Sequence, residues 1–441
     1  MRKVNAAIVL ALAFCLPGVG QSGTYKDWAD VESELVGKKM LHQQILMRDG
    51  VKLDANIYLP HGKPPFPTVL YRSPYIPDLF LNPNMLPVNA LNTALLENGY
   101  AIVHENERGR YWSGGEYEFL ANAGADGYDT IDWLAKQPWS NGKIGTYGCS
   151  STAEIQLKLS TMAHPAHAAA IALAPGAGIG KIGPYSEQGN TYRGGALQLL
   201  YASWYREYIW YGKYGDPRPQ YPADLPQADR ERIGEYFRLQ PNRNEYLTHT
   251  PFDYEQYYKY LPVTDLNKAV NGPVTDWDRF SKRTPGDPAW HDIQLANEGD
   301  KFGVPMLWGF SWYDIAIGPN ISLYNYATKN TSTERARNAQ QMFIGPTTHC
   351  MFGSEKRQTI VGERDLGDAR YDYVARFMEW YDYWLKGVRN GAPNRPKVQY
   401  YQMGATHSSA AIIFPWRGQS SSMCIWTAQV PRPWCHRMSA N

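Results

Sequence analysis

The sequence predicts an α/β fold, in which helices cover both faces of a mostly parallel β-sheet. Short apolar runs alternate with helix-like segments from about residue 66 to residue 175, and this alternation is typical of such a sheet. The alternation stops at Pro175–Gly178 and resumes near residue 304. The sequence therefore predicts one α/β core that a long insertion divides into two parts.

The predicted elements follow one another closely in the first part of the core, residues 21–175. Two strand-like runs, His42–Met47 and Val51–Leu59, are joined by Asp49-Gly50, which is a strong hairpin signal. After them, short buried strands alternate with helices. The strands are predicted at residues 66–71, 101–104, 143–147 and 168–174, and the helices at residues 89–98, 126–136 and 152–162.

Residues 176 to about 300 have a different character. They are rich in Tyr, Trp, Arg and Pro and show no clear buried strand, so we predict an inserted, largely helical cap. The second part of the core, residues 301–395, contains predicted strands at 304–309 and 341–345 and a long helix at 369–386. The run Lys397–Met403 is predicted to be the first strand of a further domain.

Residues 1–20 have the layout of a secretory signal peptide. Two basic residues precede an apolar run, Ala6–Leu16, and Gly18 and Gly20 supply the small residues of a cleavage site before Gln21. A buried N-terminal helix is the alternative. The run is too short to span a bilayer, so we expect a periplasmic or secreted protein without stable membrane insertion. The formal net charge of +2 gives no reason to expect a nucleic-acid partner.

The segment Lys143–Ala153 predicts a reactive serine. A strand, a sharp turn with Gly148 and a helix form the context of a nucleophile elbow, which lifts the hydroxyl of Ser150 clear of the sheet. The turn also brings the backbone N–H of Ser151 beside the reacting carbonyl. The usual Gly-x-Ser-x-Gly motif is incomplete, because Thr152 stands where its last Gly would be. A plain helix N-cap, or Ser151 as the nucleophile, are the alternatives.

A serine of ordinary pKa needs a base, and in this arrangement an acid and then a histidine follow it along the chain. Among the ten histidines, His349 follows a strand-like run after the insertion and precedes the long helix. Asp314 is the first carboxylate after the predicted strand at 304–309, at the strand end where active sites of such sheets lie. It would orient His349 and stabilise its imidazolium. A structural histidine and a helix N-cap are the alternatives for these two residues.

Two further segments bear on substrate binding. Tyr75, in the run Tyr71–Tyr75 after an early strand, would donate its hydroxyl to an oxyanion, although it also fits an ordinary turn. The aromatic run Tyr201–Tyr211 would form either the core of the cap or the lining of a pocket for an apolar acyl group. Asp126, Asp129 and Asp132 on one predicted helix are more typical of a solvated face than of a metal site.

Several motifs, taken in order from about residue 40 to residue 404, resemble those of the cocaine-esterase-like and X-prolyl dipeptidyl-peptidase-like serine hydrolases. These belong to the α/β-hydrolase superfamily and include α-amino-acid ester hydrolases and glutaryl-cephalosporin acylases. The motifs that carry the resemblance are Met47–Leu53, Arg72–Tyr75, Arg108–Arg110, Asp126–Leu134, Pro138–Gly145, Gly148–Ser150, Trp312–Asp314 and Gly345–His349.

The resemblance implies an α/β-hydrolase fold with an inserted helical cap and the start of a C-terminal jelly-roll β domain. It implies Ser150 as nucleophile, Asp314 as orienting acid and His349 as base. It also implies an oxyanion hole made by Tyr75 and the Ser151 amide, with no metal or organic cofactor. The chain departs from the family at two positions after the serine. Ser151 stands where the family has an aromatic residue, and the pattern of small residues around the nucleophile ends in Ala153 instead of Gly.

Two cysteines flank the expected nucleophile and base. Cys149 precedes the serine and Cys350 follows the histidine, so their thiols would lie near each other where the two loops meet. A count of free thiols before and after reductant tests this.

The last segment, residues 396–441, changes in character. From Ala405 to Asn441 there is no Asp, Glu or Lys, and two of the five cysteines occur there. We interpret this segment as a truncated or out-of-frame start of the β domain.

The sequence thus predicts a serine hydrolase that cleaves an ester or amide of a small acyl or aminoacyl substrate through an acyl-serine. The alternatives are an X-prolyl dipeptidyl peptidase and, because of the unusual tail, a catalytically impaired fragment that only binds a ligand. The expected partner is the small-molecule substrate, and a homo-oligomer is compatible with the sequence.

Overall fold

A central β-sheet organises the computed structural model of the chain, which describes residues 39–75, 86–110, 113–176, 180–188, 190–204, 254–269 and 276–403. Within these residues nine strands form one sheet in the order β1-β2-β4-β3-β5-β6-β11-β12-β15. Strands β1 and β2 are antiparallel to each other, β2 is antiparallel to β4, and the remaining neighbours are parallel.

The strands of the central sheet are mostly six to ten residues long. They are β1 Lys39–Leu46, β2 Lys52–Leu59, β3 Phe66–Ser73, β4 Ala101–Asn106, β5 Ser140–Cys149, β6 His167–Leu173, β11 Met306–Ser311, β12 Gln340–Gly345 and β15 Val398–Tyr400. Two short strands outside this sheet, β13 Ile360–Val361 and β14 Arg364–Asp365, pair with each other. Every residue of β3, β4, β6, β11 and β12 is buried. Continuous burial is expected of parallel strands whose two faces are both covered.

Helices connect the parallel strands and cover them. Those described are α1 Leu86–Glu97, α2 Ala123–Ala135, α3 Ser151–Thr161, α4 Leu199–Trp204, α5 Tyr254–Lys259, α6 Leu266–Ala269, α7 Asp276–Phe280, α8 Ile317–Lys329, α9 Glu334–Arg337 and α10 Tyr373–Tyr381. Helix α10 continues into a π-helical turn, Asp382–Lys386.

Two neighbouring residues of β5 show that both faces of the sheet are covered. Ile144 belongs to a buried cluster with Ile131 and Leu134 of α2. The next residue, Gly145, lies under α10, where an added Cβ would approach a ring carbon of Tyr381 to 2.7 Å. Successive strand residues face opposite sides of a sheet, so α2 and α10 lie on opposite faces. The predicted α/β class is confirmed.

The insertion differs from the prediction at its beginning. Four short strands, rather than helices, occupy the described residues between 180 and 197: β7 Lys181–Ile182, β8 Tyr185–Gln188, β9 Tyr192–Arg193 and β10 Ala196–Leu197. They form a small antiparallel sheet. Strands of two to four residues are too short to show an alternating pattern in the sequence. Helices α4 to α7 follow in the parts of the insertion that the structure describes.

The structure adds two details near residue 400 and in the last described α-helix. Val398–Tyr400 pairs in parallel with β12, at one edge of the central sheet in the described residues, which the sequence did not predict. The long helix begins at Tyr373 rather than at residue 369, since the carboxylate of Asp372 accepts a hydrogen bond from the Ala375 N–H and caps it.

Several predictions fall outside the described residues. These are the signal peptide at 1–20, the tail from residue 404 onward, and residues 205–211 of the aromatic run. In the part of the chain that the structure describes, the helices are too short or too polar to cross a bilayer.

Candidate active site

Ser150 lies in a sharp turn between β5 and α3. Its backbone has φ 62° and ψ −132°, a conformation that L residues rarely adopt. Its N–H donates to the carbonyl of Leu173 on β6 (3.0 Å), and its own carbonyl accepts from the N–H groups of Ala153 and Glu154 (2.9 and 3.1 Å). Ser150 is partly exposed, whereas Ser151 is 4% exposed. The turn therefore presents the hydroxyl of Ser150 rather than that of Ser151.

The residues around the turn explain why its incomplete sequence motif still forms an elbow. A Cβ on Gly148 would lie 2.4 Å from the carbonyl oxygen of Thr152 and 2.5 Å from Nε2 of Gln156, so only glycine fits where the strand and the helix meet. Thr152 replaces the last Gly of the motif, and its hydroxyl donates to the carbonyl of Cys149 (2.6 Å). The threonine thus ties the helix to the strand.

The register of four parallel strands brings the predicted site residues to one edge of the sheet. Cys149 of β5 pairs with Leu173 of β6, Leu173 with Gly309 of β11, and Gly309 with Phe343 of β12. The loops that follow β5, β11 and β12 therefore leave the sheet at the same edge, with β6 between β5 and β11. These loops carry Ser150, Asp314 and His349.

Asp314 and His349 form a hydrogen-bonded pair. Nδ1 of His349 lies 2.7 Å from Oδ2 of Asp314. The carboxylate side chain is 1% exposed and the imidazole 26% exposed. The other oxygen of Asp314 accepts from the N–H of Ala316 (2.9 Å), so the carboxylate also stabilises the start of α8. The pair has the arrangement of an acid that orients a base.

The electrostatics of the pair favour a protonated histidine. Burial of the imidazole lowers the pKa of His349, but the Asp314 carboxylate beside it and, to a smaller extent, Glu154 raise it, so that it lies above its ordinary value. An imidazole of raised pKa takes up a proton more readily, as a general base requires.

A disulfide joins the elbow to the histidine loop. Cys149 and Cys350 are bonded across 201 residues of sequence, with their Cα atoms 5.9 Å apart. One half-cystine adjoins Ser150 and the other adjoins His349. The sequence suggested that these thiols are neighbours, and the structure pairs them.

Tyr75 lies at the same edge of the sheet, two residues beyond β3. Strand β3 runs parallel to β5, with Leu70 opposite Thr146, so the two strands end next to each other. The hydroxyl of Tyr75 accepts a hydrogen bond from Nε1 of Trp204 in the cap (3.1 Å). In this bond the phenol oxygen is the acceptor, and a phenol hydroxyl can act both as donor and as acceptor.

The described part of the aromatic run belongs to the core of the cap and also reaches the site. Tyr201 stacks on Trp204, with ring centroids 5.1 Å apart, and Phe119 packs edge-on against Tyr201 at 5.4 Å. Trp204 also contacts the ring of Tyr75. Trp204 therefore both packs in the cap and contacts the predicted oxyanion donor.

Glu154 is a buried acid that the sequence reasoning missed. It lies one helical turn after Ser150 and is 1% exposed, and its Oε1 accepts from Nδ2 of Asn190 (2.8 Å). Burial raises the pKa of Glu154 to about 7, against the opposing effects of Asn190 and His349. In the sequence Glu154 is only a carboxylate in the first turn of the predicted helix, and the structure alone shows that the first seven residues of this helix are buried.

We expect Glu154→Gln to move the acidic limb of the pH profile to lower pH. A neutral amide no longer stabilises the imidazolium of His349, so the pKa of the base falls and the neutral form is present at lower pH. The effect should be largest above about pH 7, where Glu154 itself is ionised. The measurement is kcat/KM against pH, with the exposed Glu334→Gln as control. An unchanged limb would contradict this role.

The predicted acidic face of α2 is paired with basic residues. Asp126 bonds to Arg108 (2.6 Å), Asp129 to Arg48 (2.6 Å), and Asp132 to Lys136 (2.5 Å). Asp126 and Asp129 therefore tie α2 to the loops that carry Arg108 and Arg48, whereas Asp132 pairs at the end of its own helix. The prediction of a solvated face is wrong for Asp126, which is 3% exposed because it pairs with Arg108.

Comparisons with known proteins identify relatives of this chain. A model of the family described as X-Pro dipeptidyl-peptidase (S15 family) matches residues 49–351, more than half of the chain. The cocaine esterase of Rhodococcus sp. (strain MB1 Bresler) is 24% identical over 402 residues, which cover 87% of this chain and 60% of the esterase. The chain thus spans about 60% of the length of the curated relatives it matches.

Solved structures show the same fold. An aminopeptidase from a marine sediment Thaumarchaeota archaeon superposes with a TM-score of 0.56 at 22% identity, over 85% of this chain and 59% of the other. An α-amino acid ester hydrolase superposes with a TM-score of 0.56 at 21% identity, over 84% and 57% of the two chains.

Proposed function

The chain belongs to the X-Pro dipeptidyl-peptidase (S15) family, and we propose that it is a serine hydrolase with Ser150, Asp314 and His349 as its catalytic triad. The observation that carries the proposal is the Asp314–His349 hydrogen bond, together with the Cys149–Cys350 disulfide that joins the His349 loop to the elbow of Ser150. A strained serine between a parallel strand and a helix, beside an acid–histidine pair, is the arrangement of an acyl-transfer site.

The reaction proceeds through an acyl-serine. Nε2 of His349 takes the proton of the Ser150 hydroxyl as its oxygen attacks the substrate carbonyl, and the protonated imidazole then gives that proton to the leaving group. Asp314 accepts from Nδ1–H, which leaves Nε2 as the basic nitrogen. Water, activated by the same imidazole, releases the acid and restores the serine.

The oxyanion of each tetrahedral intermediate is held by two donors. One is the backbone N–H of Ser151 at the N-terminus of α3, where the helix dipole also favours negative charge. The other is the hydroxyl of Tyr75, which the indole of Trp204 orients from the cap. The cap therefore takes part in the reaction as well as in substrate binding.

We expect Tyr75→Phe to lower kcat by about 10²- to 10³-fold, which is the usual cost of removing one oxyanion donor. KM should change little, because the bond forms mainly in the transition state. The variant keeps the ring that packs against Trp204. Steady-state kinetics on an activated ester measure the effect, and Tyr58→Phe, a buried tyrosine on β2 two strands away from β3, is the matched control. A loss below threefold would exclude Tyr75 as a donor.

The proposed substrate is an ester or amide of a small acyl or aminoacyl group. The family model favours an X-prolyl peptide as the second candidate substrate. The two differ in the group that the cap must accept, so a panel of p-nitrophenyl esters, aminoacyl amides and X-Pro p-nitroanilides separates them by their relative kcat/KM.

The decisive first experiment is labelling with a fluorophosphonate probe. An activated serine reacts with the probe, and Ser150→Ala abolishes the reaction. A protein that binds substrate analogues but neither labels nor hydrolyses the panel is a ligand-binding fragment, and that outcome overturns the proposal.

We further propose that the protein is exported. The apolar run Ala6–Leu16 behind two basic residues supports a signal peptide. The Cys149–Cys350 disulfide also supports export, because disulfides persist in oxidising compartments. N-terminal sequencing of the mature protein tests this, and an N-terminus at Met1 in the cytosolic fraction would contradict it.

A further inference from the structure

The Cys149–Cys350 disulfide, hereafter the active-site disulfide, connects two loops at the residues next to the proposed nucleophile and base. Cys149 is the last residue of β5 and precedes Ser150, and Cys350 follows His349. Each half-cystine is thus one peptide unit from a reactive side chain. A displacement of either sulfur therefore displaces the neighbouring residue, Ser150 or His349, through the backbone.

A residue with positive φ occurs at each end of the active-site disulfide: Ser150, which follows Cys149, and Cys350 itself. Ser150 has φ 62° and Cys350 has φ 59°. Non-glycine residues keep such conformations only where the surrounding structure holds them. The crosslink supplies such a restraint to both loops at once, because neither backbone can turn without moving the sulfur bonded to the other.

The histidine loop has other anchors that do not depend on the disulfide. The carbonyl of Thr347 accepts from the N–H of Tyr313 (3.2 Å). Phe352 is 1% exposed and packs between Phe343 and Tyr373, with ring centroids 5.6 and 5.5 Å away. These contacts keep the loop on the sheet when the disulfide is open. The disulfide fixes the distance of the loop from the elbow.

We infer that the active-site disulfide positions His349 against Ser150, and that opening it lowers kcat while the fold is kept. This inference rests on the proposed triad. A displacement of about 1 Å between reacting groups costs on the order of 10²-fold in rate. The expected change is a fall in kcat of about 10- to 100-fold, with KM within about threefold, because the residues that bind the substrate stay in place.

A small dithiol can open the active-site disulfide in the native protein, because both cysteines are partly exposed. One thiolate of dithiothreitol attacks a sulfur of the pair and forms a mixed disulfide. Its second thiol then closes a ring and releases the remaining cysteine thiol. The protein pair gains two electrons and two protons, and the reagent is oxidised to its cyclic disulfide.

The experiment compares the oxidised and reduced full chain at 25 °C. Kinetics, the rate of fluorophosphonate labelling and near-UV circular dichroism are recorded before reduction, after dithiothreitol and after reoxidation, and peptide mapping follows the crosslink. The Cys149→Ser/Cys350→Ser variant should have the kcat and labelling rate of the reduced enzyme, and dithiothreitol should not change them. The Cys424→Ser/Cys435→Ser variant, which keeps the pair, should respond like the wild type.

Thermal stability is measured separately, because a crosslink that closes a 201-residue loop is expected to raise the melting temperature whatever its effect on catalysis. A lower kcat and slower labelling with an unchanged near-UV spectrum, both reversed by reoxidation, support the inference. A reduced, folded enzyme with kcat within threefold of the oxidised form overturns it. Loss of activity together with the near-UV signal also overturns it, in favour of a purely stabilising crosslink.

Failure of the proposed function gives a different result. An oxidised enzyme that neither labels nor hydrolyses the substrate panel contradicts the triad itself, and with it this inference. The activity of the oxidised enzyme therefore tests the proposed function, and the ratio of kcat between the oxidised and the reduced enzyme tests the role of the disulfide.

Discussion

Replacement of Ser150 with alanine is expected to lower kcat by about 10⁴- to 10⁶-fold, as deletions of triad residues do elsewhere. The reason is that no acyl-serine can form without the hydroxyl. The residual rate would come from the oxyanion donors and from substrate binding, so KM should stay close to that of the wild type. The measurement is steady-state hydrolysis of a p-nitrophenyl ester, together with fluorophosphonate labelling.

Ser151→Ala is the matched control for this experiment. Its side chain is buried and its proposed contribution is the backbone N–H, which alanine keeps. We therefore expect this variant to label normally and to retain kcat within a few-fold. If Ser150→Ala keeps more than a tenth of the wild-type turnover, or if Ser151→Ala is the variant that stops labelling, the nucleophile is assigned wrongly.

Local signals in the sequence were sufficient to predict the elbow. A strand, a glycine and a helix meet within a few residues, and each has its own sequence pattern. The structure adds the physical reason for Gly148, which is that Thr152 and Gln156 occupy the space that a Cβ would need. Thr152 itself counted against the motif, although its hydroxyl stabilises the turn through the Cys149 carbonyl.

Features that depend on distant parts of the chain were harder to predict. Asp314 and His349 were found because strand ends in such a sheet converge and their chain order is constrained. Glu154 was missed because its environment comes from Asn190 in the insertion, which no periodicity connects to α3. The pairing of Val398–Tyr400 with β12 was missed because it is a contact between elements that a long connection separates.

The prediction of the insertion was limited for a similar reason. Its strands β7–β10 contain two to four residues each, so they bury too few side chains to give a pattern. The aromatic residues Tyr201 and Trp204 were left between cap core and pocket lining. Trp204 packs in the cap and also donates a hydrogen bond to Tyr75, so cap core and site lining are not exclusive for this side chain.

The second large effect is expected for Asp314→Asn, which should lower kcat by about 10⁴-fold. The carboxylate accepts from Nδ1–H of His349 and from the N–H of Ala316. An asparagine that keeps the Ala316 bond through its carbonyl presents its NH₂ to Nδ1. The imidazole must then carry its proton on Nε2, where it cannot take the proton of Ser150.

The pH dependence separates this explanation from a simple loss of folding. Because Asp314 raises the pKa of His349, kcat/KM of the wild type should rise with pH until the imidazole is neutral. Without the charge the pKa falls, so the residual activity of Asp314→Asn should have its acidic limb at lower pH. Asp132→Asn, at a half-exposed position paired with Lys136, is the control and should change neither kcat nor the limb. A folded Asp314→Asn enzyme with kcat within tenfold of the wild type would show that another carboxylate orients His349. Glu154 would then be the first residue to replace, because it is the other acid whose charge acts on that imidazole.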